Sequence, residues 1–293
     1  MSPSHGELDR PRSAVSRPTL VAAAVAAAAL LIIYIPAFAH AVDVWRLDEE
    51  FSFGFAVPFL ALGLAWLRRA SIVASLGRGS AWGLPILVAG LVMLVIGART
   101  GVHIIGGASF VVSALGAVTY LFGLRALRAT FFPIAFLLFG LTLYRGLLNT
   151  LGFGLQNLTA KSSASLATRI GVPVHRDGVD LFVGQFHLVV AQACSGMSSL
   201  LTLLCLGTLM IGLAQSTLPR RLLLLLLIVP IVLVANIVRV TLVLALVRPF
   251  GLTVVEGFVH GSFSAVLFLM AIGLFLIAGR LLKCYPRLDA LAL

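Results

Sequence analysis

Long apolar runs separated by short polar segments dominate the chain. An α-helix rises 1.5 Å per residue, so about 20 apolar residues are needed to cross about 30 Å of hydrocarbon. Eight stretches approach or reach that length: Thr19 to Ala39, Phe51 to Leu67, Trp82 to Ala98, Ile104 to Leu124, Ala129 to Leu148, Met197 to Ala214, Leu222 to Val247, and Phe258 to Ala278. The pattern therefore predicts an all-α integral membrane protein with about eight transmembrane helices.

A polar segment separates the fifth and sixth predicted spans. Leucine and isoleucine recur at helical spacing from Gln156 to Ile170, which predicts a helix lying on the membrane interface. After Gly171, apolar and polar residues alternate on either side of Asp177 and Gly178, which predicts a short β-hairpin. Because we see no internal repeat, we expect one multipass membrane domain over residues 19–280.

The composition agrees with a chain that uses lipid as its solvent. Hydrophobic residues make up 60% of the sequence and charged residues 11%, with a mean hydropathy of +1.11. A single soluble domain cannot bury that much apolar surface. The formal charge of +11 would suggest a nucleic-acid partner in a soluble protein, but here the basic residues stand between apolar runs. We therefore expect no nucleic-acid partner.

The distribution of charge predicts which end of each span lies in the cytoplasm. With the N-terminus inside, the inner loops and the C-terminal tail hold these basic residues: Arg68, Arg69, Arg78, Arg125, Arg128, Arg220, Arg221, Arg280, Lys283 and Arg287. The outer connections hold the acidic run Asp48 to Glu50 and the polar segment over residues 149–193. This asymmetry follows the positive-inside rule. Residues 1–18 and 281–293 are then cytoplasmic tails, and residues 149–193 are extracytoplasmic.

The first apolar run has some features of a signal peptide. Arg10, Arg12 and Arg17 precede it, and alanines fill it. At about 21 residues it is longer than the apolar region of most signal peptides, and no clear cleavage site follows it. We therefore interpret it as a membrane anchor.

Three reactive side chains are expected near the outer leaflet on three different spans. Arg239 follows Arg221 by 18 residues, which places it about 27 Å above the inner face. His260 precedes Arg280 by 20 residues, which is about 30 Å of helix. Cys194 stands at the outer entrance of the sixth span. The three residues lie at one depth, although depth alone does not fix their positions around the bundle.

Cysteine, histidine and arginine at one depth suit acyl transfer. A thiol is mostly protonated at neutral pH, so a neighbouring imidazole is needed to take its proton, while a guanidinium stabilises a thiolate or an oxyanion. Gly196, two residues after Cys194, leaves room for a peptide backbone to approach the sulfur. Backbone amides at the start of the sixth span are further candidate donors to an oxyanion.

Two other residues are candidates for supporting roles. Glu256 lies one helical turn before His260, where it either orients the imidazole or is a solvated loop carboxylate. Asn236 shares a helix face with Arg239. It either holds the guanidinium or a substrate carbonyl, or it supplies polarity for packing between helices. The residues alone leave both pairs of alternatives open.

Each catalytic candidate also has a plain structural interpretation. A cysteine at a helix end is often a small buried hydrophobe. An arginine near the end of a span commonly extends to the headgroups, and a histidine at the interface can contact them as well. Ionisable residues within membranes nevertheless tend to be functional. Equal depth for all three favours the functional interpretation without excluding the structural one.

The remaining cysteines and histidines give no sign of a metal or cofactor site. Cys205 lies eleven residues after Cys194 in the sixth span, and Cys284 lies in the C-terminal tail, so we expect both to be inert. His175 and His187 fall in the predicted hairpin, where exposure to solvent is expected. No two histidines have the close spacing of metal ligands, so we predict neither a metal nor a cofactor.

Three short blocks together resemble the exosortase/archaeosortase family. They are Ala193-Cys194-Ser195-Gly196, Asn236-Ile237-Val238-Arg239-Val240, and His260 at the start of the last apolar run. The similarity extends to Asp48 to Pro58 with Arg68-Arg69, and to Gly171-Val172-Pro173-Val174 through Gly178. It covers most of the chain, from about Asp48 to Ala278, and the ordered set of three blocks is specific.

The resemblance implies a cysteine transpeptidase or protease in the cytoplasmic (inner) membrane of a prokaryote, with its active site on the extracytoplasmic side. The implied partners are single-span precursor proteins whose C-terminal signal combines a short Pro-containing motif, a hydrophobic span and a basic tail. The lipid bilayer and a lipid or glycan acceptor complete the set of expected partners. In this family the cysteine is the nucleophile, which corresponds to Cys194, and its partners correspond to His260 and Arg239.

Two positions depart from the family pattern, and two other functions compete. Members often carry an acidic residue where this chain has Gln192 and a basic residue where it has Ser198. These departures motivate the hypothesis of a non-catalytic membrane scaffold. A transporter or export component of surface polysaccharide, with Arg239 and Arg145 contacting the substrate, is the other alternative, but we see no repeat symmetry. Because the cysteine, arginine and histidine are all present, we predict the transpeptidase.

Overall fold

The computed structural model describes residues 16–142, 145–189, 197–214, 216–251 and 260–284. Most of these residues are helical, and the chain divides into two compact units. The first unit comprises residues 1–43 and 56–141, and the second comprises residues 44–55 and 142–293. Cys194, Gly196 and Glu256 lie outside the described residues.

The first unit is built from helices alone in its described part. Its elements are α1 (Arg17–Ile33), α2 (Ile35–Leu47, whose last residues enter the second unit), α3 (Ala56–Leu67), α4 (Arg69–Ser75), α5 (Gly83–Thr100), α6 (His103–Phe136) and a 3₁₀ helix (Leu137–Gly140). Helices α1 and α2 are bent by 56° at Tyr34. The Tyr34 side chain is fully buried, and its hydroxyl hydrogen-bonds to the Ser113 hydroxyl of α6 at 2.8 Å.

Helices α5 and α6 form a tightly packed hairpin. The chain reverses at Gly101, whose positive φ of 69° favours glycine. Gly83, Gly90 and Gly97 recur every seven residues on the buried face of α5. A Cβ added at Gly90 would lie 2.6 Å from the Ser113 backbone nitrogen, so the two backbones approach each other closely. Small residues at the contact are what membrane helices use to pack in this way.

Gly123 divides the long helix α6 into two parts. Its φ of 88° and ψ of 178° are not helical, and a Cβ there would meet the backbone oxygen of Arg78. The loop before α5 pairs with this region, since the amide of Gly77 donates to the Phe122 carbonyl at 3.2 Å. The two parts of α6 correspond to the predicted fourth span and the beginning of the fifth.

The second unit combines helices with a small sheet. Its elements are a 3₁₀ helix (Glu49–Phe55), α7 (Arg145–Arg169), β1 (His175–Asp177), β2 (Asp180–Val183), β3 (Phe186–Val189), α8 (Met197–Leu213), α9 (Leu218–Phe250) and α10 (His260–Leu281). The three strands are antiparallel in the order β1-β2-β3. The predicted hairpin is therefore confirmed as β1 and β2, and β3 is a third strand that we did not predict.

Helices α8, α9 and α10 share a hydrophobic core. Its buried members are Leu203, Met210, Leu224, Ile228, Val232, Ala235, Ala271, Phe275 and Cys284. Polar contacts close one end of this bundle, where the Arg221 guanidinium donates to the Ala214 carbonyl at 2.7 Å. The Ser216 hydroxyl lies 3.1 Å from the Cys284 thiol in the same region. A basic side chain next to the last carbonyls of a helix is a common way to end it.

The helices support the prediction of a multipass membrane protein. Four stretches of the described residues are long and apolar enough to cross a membrane: Glu50–Leu67, Gly83–Thr100, His103–Gly140 and Leu218–Val247. The bent pair α1 and α2 would make a fifth, and two shorter apolar helices coincide with the sixth and eighth predicted spans. The count of eight and the orientation stay predictions.

The fifth predicted span needs a correction. Helix α6 ends at Phe136, a 3₁₀ turn follows, and Leu148, the predicted end of the span, already belongs to α7. Helix α7 in turn begins at Arg145 rather than at Gln156. Thr142 and Arg145 interrupt this region, but apolar residues flank both, so the hydropathy of the whole stretch still resembled that of a span.

The α5–α6 contact predicts that Gly90→Ala lowers stability while Gly63→Ala does not. The new methyl group at Gly90 meets the backbone of Ser113, and such overpacking costs about 1–3 kcal/mol. Gly63 on α3 is the matched control, because a Cβ there meets nothing within 4 Å. Thermal unfolding in detergent measures both variants. Equal melting temperatures for the two would contradict the close approach of the backbones.

Candidate functional site

Helix α9 is longer than a bilayer requires. Its 33 residues extend about 50 Å, whereas about 20 residues cross the hydrocarbon. If Arg220 marks one boundary of the hydrocarbon, Arg239 falls at the other. The last part of α9 then lies beyond the membrane, and its apolar side chains need a cover of protein.

Helix α7 and the sheet provide that cover. Val240, Leu244 and Val247 of α9 are buried in one cluster with residues of α7 and β2. The α7 and β2 members are Ala160, Ala164, Ala167, Leu181 and Val183. Because the α7 members are all alanines, the two helices can approach closely. Helix α7 and the sheet therefore hold the part of α9 that follows Arg239.

Hydrogen bonds join α7 to α9 at the level of the second sequence block. The Ser163 hydroxyl donates to the Ile237 carbonyl at 3.2 Å, and the Asn236 amide donates to the Thr159 hydroxyl at 3.4 Å. Thr159 and Ser163 are fully buried. These contacts give Asn236 a fixed neighbour on its α7 side.

The opposite side of α7 is exposed and carries both apolar and polar residues. Leu158, Leu166 and Ile170 have exposed fractions of 45%, 38% and 58%. These are the residues whose spacing suggested a helix on the membrane interface. These three residues are exposed while the alanine face packs against α9, and the interfacial location itself stays a prediction.

A small cavity lies between α8, α9 and α10. Its lining residues are Ser199, Val232, Ala235, Asn236, Arg239, Leu267, Phe268 and Ala271. The volume of about 20 Å³ has room for a group the size of one water molecule. Ser199, Asn236 and Arg239 supply the polar part of the wall, and the other residues supply the apolar part. A single carbonyl oxygen or a water molecule fits such a site better than a side chain does.

The structure describes some of the predicted site residues in full and others only in part or not at all. Arg239 is partly buried and lines the cavity together with Asn236, which is 5% exposed. His260 is the first residue of α10, seven residues or about 10 Å of helix before Leu267 in the cavity wall. The His260 side chain, like Cys194, Gly196 and Glu256, lies outside the described part of the structure. The meeting of Cys194 and His260 with Arg239 therefore stays a prediction.

Helix α8 carries the chain from the cysteine block to the cavity. The helix begins at Met197, three residues after Cys194, and Ser199 in its first turn lines the cavity. The 3₁₀ helix Glu49–Phe55 packs against α8, where Phe51 and Leu201 are each 1% exposed. The block from Asp48 to Pro58 in the sequence thus begins with residues that support the helix leading away from Cys194.

Sequence reasoning missed three polar residues around the site. Ser199, Thr159 and Ser163 are ordinary serine and threonine residues in apolar or mixed segments, and no spacing rule distinguishes them. Ser199 has one sequence signal, since it lies only five residues after Cys194. Thr159 and Ser163 are four residues apart, which places them on one helix face, but the partner of that face cannot be read from the sequence.

Cys205, Cys284, His175 and His187 are not among the residues that line the cavity. Cys205 and Cys284 are buried, with exposed fractions of 3% and 0%. His187 is exposed on β3, where its Nε2 atom lies 2.7 Å from a carboxylate oxygen of Asp180. His175 is exposed on β1. The predicted exposure of these two histidines is confirmed.

A comparison with known protein families shows which family the chain belongs to. Residues 45–277 match a family model described as transmembrane exosortase, which is well over half of the sequence. The chain belongs to the transmembrane exosortase family. A search of curated proteins and a search of solved structures return no match. The exosortase match begins in α2, ends in α10 and includes every residue that lines the cavity.

The α7–α9 contact predicts that Ala164→Leu destabilises this exosortase. Ala164 is buried against α9, so a leucine there forces the helices apart at a cost of about 1–3 kcal/mol. Ser165→Leu is the matched control, because Ser165 is the exposed neighbour on the same helix. Thermal unfolding in detergent should show a lower midpoint for Ala164→Leu alone. A control that unfolds at the same lowered temperature would argue against a specific contact.

Proposed function

We propose that this exosortase is a membrane-embedded cysteine transpeptidase or protease that acts on single-span precursor proteins. The precursors carry a C-terminal signal made of a short Pro-containing motif, a hydrophobic span and a basic tail. Cys194 forms the thioester, His260 is the general acid and base, and Arg239 stabilises the negative charge. Family membership supports the class of reaction, and the cavity supports the role of Arg239.

The cavity is the observation that carries the proposal. Arg239 and Asn236 of the second sequence block line it from α9. Ser199 lines it from α8, five residues after Cys194, and Leu267 lines it from α10, seven residues after His260. Each of the three sequence blocks therefore lies on or directly before a helix that contributes to one small cavity.

The residue types present supply a complete reaction. His260 takes the proton of the Cys194 thiol. The thiolate attacks the scissile carbonyl carbon, a carbon–sulfur bond forms, and the carbonyl electron pair moves to oxygen, where Arg239 balances the charge. Collapse of this intermediate breaks the carbon–nitrogen bond, and the leaving amine takes a proton from His260. Water, or an amine or hydroxyl of a lipid or glycan acceptor, then attacks the thioester, gives a proton to His260 and releases the cysteine.

The depth of Arg239 suits this chemistry. At the hydrocarbon boundary a guanidinium faces less water than it does in bulk solvent, so its effect on an oxyanion is stronger. The signal of the precursor includes a hydrophobic span of its own, which lies in the same bilayer and presents its outer end at the same depth. We place the site on the extracytoplasmic side of the inner membrane, as the positive-inside rule predicts.

We expect Cys194→Ala to abolish processing of a matched precursor, because the nucleophile is lost. Cys205→Ala is the control, since Cys205 is buried in α8 away from the cavity lining and should be replaceable with little effect. The measurement is the change in precursor size in cells that express each variant. Processing that continues at the normal rate in Cys194→Ala would refute the proposed mechanism.

A second experiment tests the side of the membrane. Gln185 in the turn between β2 and β3 and Arg220 near the start of α9 are both exposed, so a cysteine at either position is open to reagents. In a Cys194→Ser background, a membrane-impermeant maleimide should label Gln185→Cys in intact cells. It should label Arg220→Cys only after the cells are permeabilised. The reverse pattern would place the site on the cytoplasmic side.

A further inference from the structure

The hydrogen bond between Asn236 and Thr159 links the cavity to a helix that does not line it. Asn236 is 5% exposed, and its side-chain amide donates to the Thr159 hydroxyl at 3.4 Å. The same residue contributes to the polar wall of the cavity, three residues before Arg239 on α9. The Asn236 carboxamide thus contacts α7, and Asn236 also lines the cavity where the reaction is proposed to occur.

Packing surrounds Thr159 on α7. It is fully buried beside Ala160, one of the alanines that pack against α9, and residues of β2 belong to the same cluster. The sheet is tied to α7 by Arg176, whose guanidinium donates to the Asn157 side-chain oxygen at 3.0 Å. A hydroxyl held in this way fixes the rotamer of a carboxamide that bonds to it.

Ser163 provides a natural comparison at the same contact. It is also fully buried on α7, and its hydroxyl also bonds across to α9. Its partner, however, is the backbone carbonyl of Ile237, which does not line the cavity. Of these two residues, Thr159 bonds to a side chain of the cavity wall and Ser163 bonds to a backbone carbonyl outside it.

We propose that Thr159 is a positioning residue, which holds the Asn236 carboxamide in the cavity wall so that it contacts the peptide group being cleaved. This inference rests on the proposed function and adds to it a role for α7. Without the hydroxyl, the carboxamide loses its contact with α7, and it meets the reacting peptide group in the productive orientation for a smaller part of the time. The effect falls on the chemical step and leaves the binding of the precursor's hydrophobic span unchanged.

The experiment compares Thr159→Val, Thr159→Ser and Ser163→Ala in the full-length protein in membranes, with a matched precursor. Valine keeps the shape of threonine without the hydroxyl, and serine keeps the hydroxyl. We expect Thr159→Val to lower kcat by about three- to tenfold with KM unchanged, the range that one hydrogen bond provides. Thr159→Ser should restore kcat, and Ser163→Ala should stay within about twofold of the unaltered protein.

A second measurement separates positioning from packing. In an Asn236→Ala background, Thr159→Val should cause no further loss of kcat, because the group that it positions is gone. A loss that is the same in both backgrounds overturns the proposal. Equal effects of Thr159→Val and Ser163→Ala also overturn it, as does a Thr159→Ser variant that stays as slow as Thr159→Val.

Two controls keep the result interpretable. If Thr159→Val does not accumulate in the membrane, Thr159→Ala takes its place in every comparison, since alanine is already common on this face of α7. Cys194→Ala is measured beside the set. Processing by Cys194→Ala refutes the proposed function itself, whereas an inactive Cys194→Ala with no difference between Thr159→Val and Ser163→Ala refutes the role of Thr159 alone.

Discussion

Helix α9 is longer than a bilayer is thick, and the packing of the second unit is arranged around this extra length. About 20 residues cross the hydrocarbon, and α9 has 33. The remaining turns keep apolar residues such as Leu244, which is fully buried. Helix α7 and β2 cover these residues. The packing of α7 and β2 therefore supports the part of α9 that follows Arg239.

Close packing also explains why polar groups are tolerated beside this part of α9. Alanines on α7 let the two backbones approach until the short side chains of Thr159 and Ser163 reach across. A buried hydroxyl or amide without a partner is costly, so contacts of this kind need a fixed distance between helices. The small residues of α7 set that distance, and in the first unit the glycines of α5 do the same against α6.

Much of the fold can be predicted from the sequence, because the hydropathy of a segment indicates whether lipid or water surrounds it. The apolar stretches became helices, and the alternation around Asp177 became two strands. The third strand also had a sequence signal, because Gly184 precedes the alternating Phe186 and Leu188. A strand this short, with polar neighbours, has the same pattern as many loops. The break at Gly123 and the polar contact of Thr159 depend on partners distant in the chain, which periodicity does not record. Of the candidate site, the sequence identified Arg239 and Asn236, and the meeting with Cys194 and His260 stays a prediction.

The short 3₁₀ helix that contains Phe51 has a consequence for biosynthesis. It belongs to the second unit, yet about 85 residues of the first unit lie between it and the rest of its own unit. The ribosome therefore delivers this piece long before α8, the helix that Phe51 packs against. Residues 44–55 therefore reach their contact with Leu201 only after synthesis has passed its midpoint. The two units alternate along the chain, and a chain cut short before α8 leaves this aromatic segment without its neighbour in α8.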